Sequence, residues 1–240
     1  LPMSDRERLL RLAQMAARGG HEKMAESMHV MMAYLNPVIE ERRANPGDDI
    51  LSAVVHAKID GKPINPGDMM SMLLVILFGG LDTVASTLGF IANFMAENPA
   101  HRRQLIEEPV LIDNAVEELM RRFQPSATTR TLTRDFEYKG IHFKEGDRVY
   151  VYPLMAGLDD RRYPNAWEVD FRRLDAQQHN SFGAGAHRCP GSLLAKLEIR
   201  VFLQEWLARI PEFQVKPGRP VVYGPGQVNC VDRLELEWQP

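Results

Sequence analysis

Phe182-Gly-Ala-Gly-Ala-His-Arg-Cys189-Pro-Gly191 surrounds one cysteine with glycines and a proline, immediately before an apolar-periodic stretch that predicts an amphipathic helix from just after Cys189 to about Arg209. A helix N-terminus offers unpaired backbone N–H groups and partial positive charge, which favour a thiolate and can hydrogen-bond its sulfur. Gly183, Gly185 and Gly191 carry no side chain, so the backbone there can approach a flat macrocycle closely. A single cysteine by itself is more often a small buried hydrophobe. The surrounding pattern therefore decides which reading holds.

Upstream, apolar residues recur at helical spacing from Glu7 to Ala17 and from Glu22 to Arg43, with Gly19-Gly20 as the break and Pro37 as an expected kink. Met24, Met28, Met31 and Met32 share a face of the second helix, as a core stripe or as a mobile lid over an apolar ligand. A short helix near 49–58 precedes a turn at Asp60-Gly61. Asn65-Pro66 then supplies an N-cap and a first-turn proline for one long helix running to Glu97, and Asn98-Pro99 starts the next helix in the same way. Asp113 or Asn114 is positioned to cap a helix that Pro125 ends after Phe123. From Thr128 to Tyr152, short β-branched and aromatic runs broken at Lys139-Gly140 and Glu145-Gly146 predict hairpins. An irregular stretch covers residues 153–180, and loop and strand cover 211–240.

The bulk properties narrow the function. A net charge of -3 gives no basic field for nucleic acid. Two cysteines, Cys189 and Cys230, share no metal-ligand spacing, which leaves neither a disulfide framework nor a structural zinc or iron–sulfur site. The apolar run from Met69 to Leu81 is shorter than the roughly 20 residues that cross a bilayer, and reads as a buried helix.

The cysteine segment resembles the cysteine-loop signature of the cytochrome P450 family, with Phe, Gly, His, Cys and Gly at the family's positions. Two further stretches are similar to family motifs in the same order: Gly79-Gly-Leu-Asp-Thr83 within the long apolar helix, and Glu118-Leu-Met-Arg121. Phe78-Gly-Gly-Leu-Asp-Thr-Val84 and Glu117-Glu-Leu-Met-Arg-Arg-Phe123 resemble the soluble bacterial camphor-hydroxylase-like branch most. The resemblance implies a mainly α fold with small β-hairpins and sheets, residues 1–240 being the C-terminal portion of a single cytochrome P450 domain with the N-terminal portion absent.

It also implies haem b as the cofactor, with Cys189 as the iron ligand, Phe182 packed on the thiolate side, His187 and Arg130 pairing with propionates, and Gly191 as a further cofactor-binding position. Glu118 and Arg121 would form a buried network with Arg173 from the irregular stretch. Asp82 would relay protons, and Thr83 would hydrogen-bond bound dioxygen in an opened helical turn. Two adjacent glycines in a helix cost about 1 kcal/mol each relative to alanine, so a close helix crossing is the structural alternative.

As an enzyme, such a protein would be a cytoplasmic haem-thiolate monooxygenase, hydroxylating a small apolar substrate, terpenoid-like or aromatic, with dioxygen. Electrons would come from an iron–sulfur ferredoxin with its reductase, without nucleic-acid or membrane partners. Val75, Phe78 and Val228 correspond to family pocket positions, or are ordinary core. Arg188 and Lys196 would face an acidic redox partner, or are solvated surface charge. The alternatives are a peroxide-driven peroxygenase, against which the Asp82-Thr83 pair argues, and a non-catalytic or incomplete haem-binding fragment.

Overall fold

The structure, a computed structural model, describes residues 1–239. The chain folds as two units, Leu1–Thr83 and Val84–Pro240.

In the first unit, α1 (Arg6–Arg18) and α2 (Gly20–Ala44) pack together, followed by α3 (Ile50–Val55), a hairpin of β1 (Lys58–Ile59) and β2 (Lys62–Pro63), and α4 (Pro66–Leu81). Two caps act as their residue types dictate: Asp49 accepts from Ser52 N–H and Asn65 from Asp68 N–H, at 2.8 and 2.9 Å. The hairpin turns on Asp60 and Gly61, both at positive φ, a conformation that an Asp-Gly pair tolerates. Helix α2 continues through Pro37. Leu9, Leu12, Met31, Leu35 and Leu73 form the core, and the buried Ser27 hydroxyl donates to the Leu12 carbonyl at 2.6 Å. Of the methionine stripe, only Met31 is fully buried, while Met28 and Met32 are exposed.

The second unit contains α5 (Thr83–Glu97), α6 (Pro99–Glu107), α7 (Ile112–Phe123), the short α8 (Pro153–Gly157) and α9 (Ser192–Arg209). Its antiparallel ribbons are β3 (Thr128–Thr131) with β6 (Arg148–Val151), β4 (Phe136–Tyr138) with β5 (Ile141–Phe143), β7 (Phe213–Val215) with β10 (Leu236–Trp238), and β8 (Val222–Gly224) with β9 (Cys230–Arg233). The core joins Ile91, Met95, Leu119, Phe171, Ile199 and Leu203.

Several local expectations change. The long apolar helix breaks at Asp82, between α4 and α5. Helix α4 is half-buried, since Met69, Leu73 and Leu74 face the core whereas Met72 and Val75 are exposed. Counted through the break, Pro66–Glu97 is long and apolar enough by composition to cross a membrane, although Asp82, Ser86, Thr87 and Asn93 along it are buried polar residues such as a protein core can satisfy. Asn98 does not cap α6: its amide donates back to Phe94 O, closing the end of α5. Neither Asp113 nor Asn114 caps α7, because Asn114 donates to Phe171 O and Arg173 O, and Asp113 pairs with Arg200 of α9. Helix α9 is not amphipathic. Ile199, Leu203 and Leu207 are buried, while Leu193, Leu194, Leu197 and Val201 are exposed, Leu193 at 81%.

Candidate functional site

Cys189 stands three residues before Ser192, the first residue of α9, in a loop closed by its own N–H donating to Phe182 O at 2.8 Å. That N–H is therefore unavailable to the sulfur. Gly183 and Gly185 take positive φ of 70° and 66°, which explains glycine there by backbone conformation. A Cβ on Gly185 would meet nothing within 4 Å, and one on Gly191 would lie 3.9 Å from Cys189 Sγ. The loop tip from Gly183 to Arg188 is exposed, and Cys189 is half-buried. His187 and Arg130 are also exposed, and the Arg130 guanidinium donates to the adjacent Thr129 O. A thiol beside unobstructed glycine backbone, with an imidazole and a guanidinium projecting from the same unit, fits a flat, iron-bearing dianion such as haem.

Beneath the loop lies the strongest polar centre. Glu118 and Arg121 are both 0% exposed. Arg121 donates in bidentate fashion to Glu118 through Nε and Nη2, each at 2.8 Å. Its remaining donors reach the carbonyls of Gly157, Ala166 and Glu168, and its guanidinium lies over the Tyr163 ring. Glu118 Oε1 also accepts from Asp170 N–H at 3.0 Å and Arg173 Nε at 3.1 Å. The structure thus brings Glu118, Arg121 and Arg173 together. Arg172, next in sequence, turns outward to Glu108. Gly157 was missed by sequence reasoning: a Cβ there would stand 2.4 Å from Arg121 O, so only glycine fits.

In the first unit, Asp82 is buried at the helix break and Arg18 Nη2 donates to its Oδ1 at 2.7 Å. Among the described residues, Asp82 Oδ2 is buried without a hydrogen-bond partner. Arg18 also escaped sequence reasoning, because 64 residues separate it from Asp82. The Thr83 hydroxyl donates to Gly79 O at 2.6 Å, and Gly79 and Gly80 have open space around them. No close helix crossing explains these glycines among the described residues.

Of the pocket positions, Val75 is 62% exposed, Phe78 packs partly against the core of the first unit, and Val228 is buried in the second, where it bridges Ser126. Lys196 corrects an expectation. Its Nζ is 2.7 Å from Glu117 Oε1, so its charge is paired within the chain rather than offered outward, whereas Arg188 remains exposed.

Comparison with known proteins identifies the family. The family model described as Cytochrome P450 matches residues 8–222. A probable cytochrome P450 127A1 from Sinorhizobium fredii is 35% identical over 92% of this chain and 53% of its own length. Cytochrome P450 130 from Mycobacterium tuberculosis is 35% identical over 91% of this chain and 55% of its own. The crystal structure of CYP101J2 superposes with a TM-score of 0.89 at 36% identity, covering all of this chain and 60% of that one. The chain spans about half the length of the curated relatives it matches.

Proposed function

The chain belongs to the cytochrome P450 family, and from that premise we propose that residues 1–240 are the C-terminal portion of one such domain in a haem-thiolate monooxygenase that hydroxylates a small apolar, terpenoid-like or aromatic substrate. The half-buried Cys189 thiol at an open glycine rim carries this reading. Haem b is the cofactor of the family, and when bound it supplies the activation of dioxygen and insertion of one oxygen atom into a carbon–hydrogen bond.

Cys189 Sγ is the atom that would hold the iron, and His187 and Arg130 would hold the propionates. The Glu118–Arg121–Arg173 centre keeps α7 and the irregular stretch immobile beneath the loop. Asp82 divides its oxygens between two tasks. Oδ1 is held by Arg18, while Oδ2, with no partner, is the atom where a proton would be held and passed on. The Thr83 hydroxyl, which donates to Gly79 O at the helix break, would be the group that hydrogen-bonds dioxygen. Val75, Phe78 and Val228 supply apolar contacts to substrate. A ferredoxin with its reductase would deliver electrons at the exposed Arg188 side, in the cytoplasm.

The absorption spectrum of the dithionite-reduced protein with carbon monoxide tests this. A strongly red-shifted Soret band is expected, and a haem-loaded protein without that band would overturn thiolate ligation.

A further inference from the structure

Beside the buried Glu118 centre, a second carboxylate on α7 is tied to both arms of the cysteine loop. Glu117 Oε2 accepts from His179 Nε2 at 3.1 Å, and His179 Nδ1 accepts from the Ser181 N–H at 3.1 Å. These two partners define the neutral Nε2–H tautomer, on a side chain only 2% exposed. The Ser181 hydroxyl donates to Met120 O at 2.9 Å, so the residue just before Phe182 is held to α7 once directly and once through His179. On the far side of the loop, Glu117 Oε1 takes Lys196 Nζ at 2.7 Å, in the second turn of α9, and that ammonium lies 5.6 Å from the centre of the Phe182 ring.

Between these arms, the exposed tip from Gly183 to Arg188 includes two positive-φ glycines and makes few bonds of its own. The position of Cys189 is therefore set by where Phe182 and the start of α9 are anchored. Both anchors converge on one carboxylate. We propose that Glu117 and His179 are positioning residues that clamp the two arms of the cysteine loop onto α7 and thereby fix Cys189 Sγ for thiolate ligation.

This inference rests on the haem-thiolate reading. An internal comparison separates it from general packing: Asp113 and Arg200 join the same two helices at 2.8 Å, with side chains 71% and 44% exposed, one turn away and without touching the loop.

The test uses the full-length holoprotein, comparing Glu117→Gln, His179→Asn and His179→Gln with Asp113→Asn. Asparagine can keep the acceptor for Ser181 N–H but loses Glu117; glutamine can keep the donor to Glu117. Glu117→Gln and His179→Asn should raise several-fold the share of the reduced carbon monoxide adduct absorbing at the blue-shifted, protonated-thiol position. They should also speed amide exchange across residues 179–192 roughly tenfold, the scale of one lost charge-assisted hydrogen bond. His179→Gln should recover most of the native band, and Asp113→Asn should leave both readouts native. Native spectra in Glu117→Gln and His179→Asn, or an equal shift in Asp113→Asn, would overturn the clamp while leaving thiolate ligation intact. A native protein without a thiolate-type band would overturn the haem reading and this inference with it.

Discussion

The polar centre at Glu118 and the helix break at Asp82 are both buried and both built on an acid–arginine contact, yet they are organised in opposite ways. At Glu118 the carboxylate and the Arg121 guanidinium are surrounded by carbonyls, a backbone N–H and a second arginine. At Asp82, one oxygen is paired with Arg18 and the other has no hydrogen-bond partner, beside two glycines with open space around them. A satisfied network in a low-dielectric interior is rigid, whereas a half-satisfied buried carboxylate is costly and persists where a group has chemistry to perform. The difference supports the proposal that the first region is scaffold and the second handles a proton.

The largest expected effect is at the ligand itself. Cys189→Ser should remove the thiolate-type spectrum altogether, and an unchanged spectrum would exclude Cys189 as ligand. At the scaffold centre, Glu118→Ala strands a buried Arg121 charge and should cost about 3–5 kcal/mol, enough to prevent folding or haem retention. A soluble, fully loaded variant with native thermal stability would erase the contrast with Asp82. Gly157→Ala places a methyl against Arg121 O and should cost roughly 1–3 kcal/mol through forced backbone shifts, read by chemical denaturation.

At the helix break the expected signature is chemical rather than thermodynamic. Thr83→Ala in the whole enzyme should keep oxygen consumption but divert electrons to hydrogen peroxide, and undiminished coupling of reductant to product would remove Thr83 from the reaction. The smallest effect concerns pH. Burial works against ionisation of Glu117, but hydrogen bonds from His179 and Lys196 outweigh it and hold the carboxyl below its ordinary value of 4.5. A depressed folded-state pKa contributes stability above the unfolded value that is lost as pH falls through the folded one. Native protein should therefore lose stability on acidification below that ordinary value more steeply than Glu117→Gln; parallel curves would show that the carboxylate adds nothing there.

What the sequence determined by itself is local. Caps at Asp49 and Asn65, the Asp60-Gly61 and Lys139-Gly140 turns, and the helix after Cys189 follow from residue chemistry within a few positions. The three motifs were legible as motifs for the same reason, each being a short run. Even there, propensity was overruled where a distant partner competed, as when Asn114 left the cap position for the carbonyls of Phe171 and Arg173. Tertiary structure alone decided that Glu118 is fully buried, that Gly157 must be glycine, and which partners lie 50 to 80 residues away: Arg173 for Glu118, His179 and Lys196 for Glu117, and Arg18 for Asp82. Periodicity records which face of an element is apolar, but the identity of the group that faces it depends on how the chain closes on itself, which no local spacing encodes.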